Sequence, residues 1–502
     1  MNARPLGSLL TAAGVVPLTP VPASLLVRGV RIDSRCVTPG DLFFALRGAV
    51  DDGTRHARHA VVNGAVAVVA ESPAPESSPT VPWIRVADAR LAMGLVAREW
   101  FGRPDEAMTL VGITGTKGKT TVAFLVESIA RAAGRSAGRI GTGGYAFGGH
   151  ETVAPRTTPE ATDLFEILAA MREGGAEIVA MEVSSHALAL HRVAGARFPV
   201  AAFLNLGRDH LDFHGSGDAY FEAKASLFDR LAPSDAAILP GDDPRGQALA
   251  ARTKARTLVF GHGPAATVRI EEEHSGLAGS RARLMTPRGR LDVRTTLPGA
   301  FNVLNAAAAA ACGIALGFDG SAIAAGIEGL TRVPGRLESV SCGQPFAVYV
   351  DYAHTEESLA AVLDAVRDLT SGRLLVVFGC GGDRDRGKRF GMGRAAAARA
   401  DRVVVTSDNP RSEDPLAILR DVEAGVLSIS GAAARSSFRP DRAGAIRLVL
   451  GEARLGDAVV IAGKGHETTQ AFAGRTEPFD DREVARFELK ALGFSGGSRA
   501  DS

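Results

Sequence analysis

Apolar residues along the chain come in short runs, and most of the runs are separated by stretches with helical spacing. Gly29 to Arg35 alternates apolar and polar residues, the period-two signature of a half-buried strand. Leu42–Leu46 and Ala65–Ala70 predict two more strands, with a turn at Pro39-Gly40-Asp41 and a helix near Ala57–Asn63. Glu71 to Pro82 reads as a Pro/Ser-rich loop. Asp88 to Phe101 has helical spacing with Asp88 in the cap position, and Gly102-Arg103-Pro104 then interrupts the chain.

The same alternation follows twice more. Met108–Ile113 predicts a buried strand and Val122–Ile129 a helix that stops before Gly134. Ile178–Val183, Ala201–Leu206, Ala236–Leu239 and Thr257–Gly261 read as further buried strands. Gly299 precedes an alanine-rich helix, Asn302 to Leu316, that ends at Gly317, and Val333-Pro334-Gly335 is the next linker. Beyond it, Ala347–Val350, Leu374–Phe378, Arg402–Thr406 and Ala458–Ala462 predict strands, with helices near 356–369, 388–399, 415–426 and 442–450. Strands that alternate with helices imply mostly parallel sheets covered on both faces. The expectation is an α/β protein of three domains, 1–105, 106–334 and 335–494, with a tail at 495–502.

Composition agrees with that and narrows the partners. A chain of 502 residues fits about three domains at roughly 150 residues each. With 46% hydrophobic and 23% charged residues it can bury real cores. The net charge of +1 offers no overall field for nucleic acid, so any anion must be recognised locally. Cys36, Cys312, Cys342 and Cys380 have no C-x-x-C spacing, which argues against a zinc ribbon or a disulfide framework and fits a reducing cytoplasm. No apolar run approaches the eighteen or so residues of a membrane span, and the first residues do not read as a signal peptide.

The chemistry concentrates at predicted strand ends. Gly112-Ile113-Thr114-Gly115-Thr116-Lys117-Gly118-Lys119-Thr120-Thr121 joins a strand to a helix, where converging backbone N–H groups and the helix dipole favour phosphate. Lys119 adds a point charge and Thr120 a hydroxyl for Mg²⁺. The usual phosphate-loop pattern requires glycine where Ile113 stands, so a flexible basic turn is the alternative. Glu182, at the end of the strand in Met181 to His186, is either a Mg²⁺ ligand or a polar strand end. Asp209, His210 and Asp212 crowd another strand end, or else cap a short helix. Lys224, in a helical stretch, reads by itself as an exposed lysine. Asp351-Tyr352-Ala353-His354 fits a site edge or a simple helix cap. Phe378 to Arg389 gathers four cations with glycines and aspartates, which suits an anionic ligand. Asp408-Asn409-Pro410-Arg411 offers a guanidinium fork for a carboxylate, and Gly463 to Glu467 offers close backbone approach plus an acceptor for an amine. Together these loops describe a pocket for a small zwitterion.

In order along the chain, these motifs resemble the Mur ligase family. The resemblance is carried by Asp33-Ser34-Arg35, Pro39 to Phe43, the Gly-Thr-Lys-Gly-Lys-Thr loop, Thr157-Thr158-Pro159-Glu160, Met181 to His186 and Arg208 to Asp212. It continues through Gly299 to Asn305, Pro334 to Glu338, Asp351 to His354, Gly379 to Arg389, Asp408 to Arg411 and Gly463 to Glu467. It implies a small α/β domain holding UDP, a central phosphate-loop ATPase domain, and a Rossmann-like domain receiving an amino acid. The implied reaction is ATP-dependent amide-bond formation in cytoplasmic peptidoglycan precursor synthesis, by a monomer acting on small molecules without nucleic acid or membrane insertion.

By the resemblance, Ile32 and Ser34 contact uridine, and Thr157, Thr158, Ser184 and Arg192 hold the muramoyl-peptide. Gly115 to Thr121, Asn305, Arg336 and Asp351 handle ATP. Thr120, Glu182, His210 and Lys224 handle Mg²⁺, with Lys224 as a carbamate, and Lys119, Glu182, His210 and Lys224 form the catalytic set. The Asp-Asn-Pro-Arg loop marks meso-diaminopimelate as the amino acid, with Arg389, Asp408, Asn409, Pro410, Arg411, Gly463 and Glu467 around it; L-lysine or another diamino acid is the alternative. Some positions depart from familiar members: Ala49-Val50-Asp51, Arg156, Leu190 and Thr355-Glu356. A folylpolyglutamate synthetase shares the ATPase core but lacks the uridine-binding block and the Asp-Asn-Pro-Arg loop. A Mur-like amidotransferase subunit carries a cysteine cluster that this chain does not have.

Overall fold

The computed structural model describes residues 2–48, 51–75, 80–153 and 156–496. The expected tail from 497 onward and the departures at Ala49 and Val50 lie outside the described residues. The chain forms two compact units. One comprises Met1–Arg269, Thr286–Gly289 and Ala307–Gly326; the other comprises Ile270–Met285, Arg290–Ala306 and Ile327–Ser502.

The first unit contains a four-stranded parallel sheet in the order Gly29–Arg31, Asp41–Phe44, Ala67–Ala70, Trp83–Arg85. The first strand is shorter than its alternation predicts. Asp33 accepts a hydrogen bond from the Arg35 backbone N–H at 2.9 Å and turns the chain into a 3-10 helix, Ser34–Cys36. Asp88 caps the helix Ala89–Trp100 as expected, accepting from Leu91 N–H at 2.8 Å. Apolar packing is continuous from Leu42, Phe44 and Val69 through Trp100 to Leu110, Phe165 and Phe203.

The larger sheet of this unit places Thr109–Thr114 between Ile178–Glu182 and Val200–Phe203, all parallel. Ala237, Ile238, Leu110, Val111 and Val179 are fully buried, as expected of strands covered on both faces. The register aligns Ile113 with Glu182 and Thr114 with Phe203, so three strand ends finish at one level. Ligands of open α/β sheets bind at that edge. Val200–Phe203 stops short of the predicted Leu206 because Asn205 leaves the ladder to bind the neighbouring loop. A hairpin, Gly144–Phe147 with His150–Thr152, extends the sheet antiparallel beyond Ala137–Gly141.

Three strands outside the predicted set follow: Val268–Gly276, Gly279–Thr286 and Gly289–Thr295. Their residues are mostly polar, and the buried positions fall at every second residue, Ser280, Ala282 and Leu284 in one strand and Leu291, Val293 and Thr295 in the next.

In the second unit a six-stranded sheet runs Glu338–Ser339, Ala347–Asp351, Ala458–Ala462, Leu374–Cys380, Arg402–Ser407, Ser436–Phe438. All pairs are parallel except the short first one. Alternate residues serve different cores. Val376, Phe378, Val403 and Val460 pack under the helices Glu356–Leu369, Gly387–Arg399 and Pro415–Leu427. Leu375, Val377, Val404 and Val459 pack on the other face under Arg442–Glu452 and Asp481–Ala491. Asp351 pairs with Ala462 and Ala462 with Phe378, so Cys380 and Ser407, paired with each other, end their strands two residues further on.

Candidate active site

The loop between Thr109–Thr114 and the helix Lys119–Ala132 is built from both sides. Ile113, where a phosphate loop usually has glycine, is a fully buried strand residue, so the turn begins one step later. Gly115 (φ +152°) and Gly118 (φ +86°) carry that turn, and a Cβ on Gly115 would lie 3.1 Å from the Leu204 side chain. Asn205 fastens the loop: its carbonyl accepts from Thr116 N–H at 3.1 Å, and its Oδ1 accepts from Lys117 N–H at 2.9 Å. Thr116 Oγ1 accepts from Gly207 N–H at 2.9 Å and lies 3.1 Å from the Tyr220 hydroxyl. Lys119 folds its ammonium over the loop and donates to the carbonyls of Gly115 and Thr116 at 2.8 and 2.9 Å. Thr120 and Thr121 are buried in the first helical turn.

Lys224 joins this loop, which corrects its reading as an exposed helix lysine. The helix Gly217–Asp229 turns that face inward, leaving Lys224 1% exposed, and Nζ donates to Gly115 O at 2.9 Å. Its Nζ also lies 4.5 Å from the centre of the Tyr220 ring. Burial, with the Lys119 charge added, holds its amine well below the ordinary lysine range.

Glu182 ends its strand 1% exposed. Its Oε1 accepts from Thr142 N–H at 2.7 Å and its Oε2 from the Thr142 hydroxyl at 3.3 Å. Gly141 leaves room for it, since a Cβ there would lie 2.3 Å from Oε1. Buried oxygen donors of this kind, with the Thr120 hydroxyl, suit a hard divalent cation. Among the described residues no three His, Cys, Asp or Glu side chains would hold a metal by themselves. The buried Glu182 oxygens and the Thr120 hydroxyl fit a hard cation such as Mg²⁺.

His210 adopts φ +54° just before a four-residue helix, Leu211–His214. Its ring meets His186 edge-on at 4.6 Å, and His214 lies 5.6 Å from His186 and 5.2 Å from Tyr220. Burial, then the charges of His210 and His214, hold His186 down to about 4. Burial likewise lowers His210, with Lys119 and Lys224 adding to it. The structure thus adds His186, His214, Tyr220 and Thr142 to the expected set. His186 ended one strand-end motif and His214 lies two residues past Asp212 of another, whereas nothing local marked Tyr220 or Thr142.

The residues expected at the muramoyl-peptide are mutually bonded here. Thr158 donates to Glu182 O at 2.9 Å and accepts from Ser184 N–H at 3.1 Å. Thr157 and Thr142 hydroxyls are 3.0 Å apart, and Arg192 Nη1 donates to Thr158 O at 3.4 Å. Ser184 caps the short helix that follows it. Ser34 lies in the four-stranded sheet region, its hydroxyl 3.0 Å from His59 Nδ1, while Ile32 packs on the apolar core.

Asn305, Arg336 and Asp351 belong to the second unit. Asn305 donates to Asn302 Oδ1 at 3.0 Å. Asp351 accepts from Ala353 N–H at 2.8 Å and from Leu337 N–H at 2.7 Å, and Arg336 lies 5.2 Å from the Tyr352 ring centre. The loops expected at the amino acid do converge. Asn409 donates to Glu467 Oε2 at 2.8 Å and accepts from Lys464 Nζ at 3.1 Å, and Lys464 also meets Glu467 at 2.9 Å. Burial pushes Glu467 up, but Lys464 and Asn409 outweigh it and leave it lowered. Asp408 is buried and raised by that burial, and Gly463 is glycine because a Cβ would lie 2.7 Å from Asp408 Oδ2. Pro410 O accepts from Glu413 N–H at 3.1 Å. Arg411 adopts φ +53° and donates to Gly382 O at 2.6 Å. Arg389 is buried with its two Nη atoms on Asp421 and Glu413, each at 2.8 Å, so here it braces the loop. Lys464, fully buried, is the cation that motif reading passed over.

Comparison with known proteins covers the chain almost end to end. Residues 26–101 match the Mur ligase family catalytic domain, residues 113–313 the Mur ligase middle domain, and residues 335–465 the Mur ligase glutamate ligase domain. A UDP-N-acetylmuramoyl-L-alanyl-D-glutamate–2,6-diaminopimelate ligase of Solibacter usitatus is 46% identical, with 97% of this chain and 99% of that protein aligned. A solved structure of a ligase with the same name is 32% identical and superposes with a TM-score of 0.70, covering 98% of this chain and all of the other. The MurF ligase of Thermotoga maritima, solved with ADP, has a TM-score of 0.63 at 20% identity over 94% of this chain and 99% of that one, a likeness of fold.

Proposed function

The chain belongs to the Mur ligase family, and from that premise we propose that it joins meso-diaminopimelate to UDP-N-acetylmuramoyl-L-alanyl-D-glutamate at the expense of ATP. It is an ATP-dependent amide-forming ligase of peptidoglycan precursor synthesis. The proposal extends to a cytoplasmic monomer with three functional spans, 1–105 for UDP, 106–334 for ATP and 335–494 for the amino acid. The observation that carries the reading is Lys224. A buried lysine on the phosphate loop's own Gly115 carbonyl, near the strand end that bears Glu182, belongs to a site that manages phosphoryl charge.

In this reading the γ-carboxylate of D-glutamate attacks the γ-phosphate of ATP to give an acyl phosphate. Backbone N–H groups of Gly115 to Thr121 and the Lys119 ammonium bind the phosphates, a task of positioning and charge stabilisation. Thr157, Thr158, Ser184 and Arg192 orient the peptide, and Ile32 with Ser34 holds the uridine. Thr120, Glu182, His210 and Lys224, the last as a carbamate, would hold Mg²⁺, which would supply further charge neutralisation on the phosphates. Carbamylation turns Lys224 from a cation into an oxygen donor. Asn305, Arg336 and Asp351 complete ATP handling. The amine of meso-diaminopimelate then attacks the acyl carbon, and phosphate leaves from the tetrahedral intermediate. Asp408, Asn409, Pro410, Gly463 and Glu467 receive the amino-acid end, with Arg389 bracing the loop around it, and Arg411 reads the distal carboxylate. L-Lysine lacks that carboxylate and would leave a guanidinium unpaired.

Substrate labelled with ¹⁸O in the γ-carboxylate tests the step directly. One labelled oxygen per turnover should appear in the phosphate released. Unlabelled phosphate would rule out carboxylate activation.

A further inference from the structure

Ser34 is held at two of its atoms by one short helix. The helix Ala57–Val62, with Asn63 as its C-terminal cap, brings His59 and Asn63 onto one face, one turn apart. Asn63 Nδ2 donates to Ser34 O at 2.8 Å and lies 3.4 Å from His59 Nε2, while His59 Nδ1 lies 3.0 Å from Ser34 Oγ. His59 is exposed, whereas Ser34 is buried. The local turn does not call for this bracing, since Asp33 already caps Ser34–Cys36 by accepting from the Arg35 N–H.

The hydrogens along this chain of contacts follow from its end. A carbonyl oxygen only accepts, so the Asn63 atom that faces Ser34 O is the amide nitrogen, and its second hydrogen is the one that meets His59. Nε2 therefore accepts, which places the imidazole hydrogen on Nδ1. Nδ1–H donates to Ser34 Oγ, and the hydroxyl keeps its own hydrogen to give. Among the described residues that hydroxyl has no other hydrogen-bond partner. A serine alone can turn either a hydrogen or a lone pair toward a ligand; here His59 leaves it presenting the hydrogen.

That polarity separates the pyrimidines. Uracil carries a carbonyl at C4 where cytosine carries an amine, so the hydroxyl hydrogen finds an acceptor in the first and none in the second. We propose that His59 and Asn63 are positioning residues that fix Ser34 as a donor to the C4 carbonyl of uracil, which makes the nucleotide site selective for uridine over cytidine. The inference rests on the proposed place of Ser34 at the uridine of the substrate and adds two residues that act through it.

Calorimetric titration of the full chain, without ATP, compares UDP-N-acetylmuramoyl-L-alanyl-D-glutamate with its cytidine counterpart. The wild-type chain should favour the uridine form by about tenfold or more, the scale of one buried hydrogen bond made or left unmade. His59→Phe keeps a ring without a donor and should cut that preference about fivefold or more. His59→Asn, whose amide nitrogen can take the place of Nδ1, should restore most of it. In a Ser34→Ala background, His59→Phe should change nothing further. A His59→Phe variant with the wild-type preference would overturn the proposal. So would an equal loss with and without the Ser34 hydroxyl, or a wild-type chain that does not distinguish the two bases. A wild-type chain that binds neither form, or a Ser34→Ala variant with undiminished affinity for the uridine form, would instead remove the reading of Ser34 beneath it.

Discussion

Arg442 and Asp481 form an ion pair in the second unit with both side chains at 0% exposure. Arg442 Nε and Nη2 donate to the two Asp481 oxygens at 2.7 and 2.6 Å. Its Nη1 also donates to Ser407 O at 3.2 Å, and Nη2 to Ala462 O at 3.0 Å. Those carbonyls end the strands that lead into Asp408–Arg411 and Gly463–Glu467, so the pair anchors both amino-acid loops. Asp481→Ala leaves a buried guanidinium without its counter-charge, a loss on the order of 3–5 kcal/mol. For a unit of this size that lowers Tm by about 6–20 °C. Removing both charges with Arg442→Met and Asp481→Leu should recover part of the loss, with the two carbonyls left unbonded as the remainder. Calorimetric melts of the full chain, with KM for meso-diaminopimelate measured below the transition, provide the assay. A single-variant shift under about 2 °C, or single effects that simply add in the double variant, would refute the reasoning.

Lys224→Met and Lys224→Arg should both cut turnover about a hundredfold or more while ATP still binds, because neither residue becomes a carbamate; calorimetric ATP titration beside ADP release separates the two effects. Lys224→Arg with near wild-type turnover would remove the carbamate. His466, stacked 5.0 Å from Tyr352, is held down to about 4 by burial and by Arg336. Above about pH 6.5 both folded and unfolded forms are neutral; as pH falls toward 4 the unfolded chain takes a proton that the folded one refuses, so stability declines across that window. His466→Gln should flatten the decline, and melts at pH 7, 6, 5 and 4 on both proteins would expose an unchanged slope.

Strong periodicity made most of the framework legible. The helix Glu356–Leu369 and the strand Ala458–Ala462 stand at their predicted bounds, and Asp88 caps the helix it was expected to cap. These segments carry their own cause, an apolar period or a cap residue. Gly279–Thr286 and Gly289–Thr295 do alternate, but Ser280, Ala282 and Thr295 on the buried face are small or polar, so the apolar signal is weak. Site residues divide in the same way. The phosphate loop and Glu182 were visible because strand-end position and local motif coincide. The burial of Lys224 depends on which face of its helix meets Gly115, which helical spacing alone does not state. Arg389 shows the reverse case: a cation in a glycine-rich loop suits an anionic ligand, yet in the structure Glu413 and Asp421 already occupy it. Lys464, Tyr220 and Thr142 owe their places to chain segments far away in sequence.

Amino-acid choice tests the central claim most directly. Phosphate release would be followed with ATP, Mg²⁺ and UDP-N-acetylmuramoyl-L-alanyl-D-glutamate, adding meso-diaminopimelate, L-lysine or L-ornithine separately. The account predicts release that depends on meso-diaminopimelate, with lysine and ornithine poorer by about a thousandfold or more, since both leave the Arg411 guanidinium without its carboxylate. Equal turnover with L-lysine, or release that needs no amino acid, would contradict it.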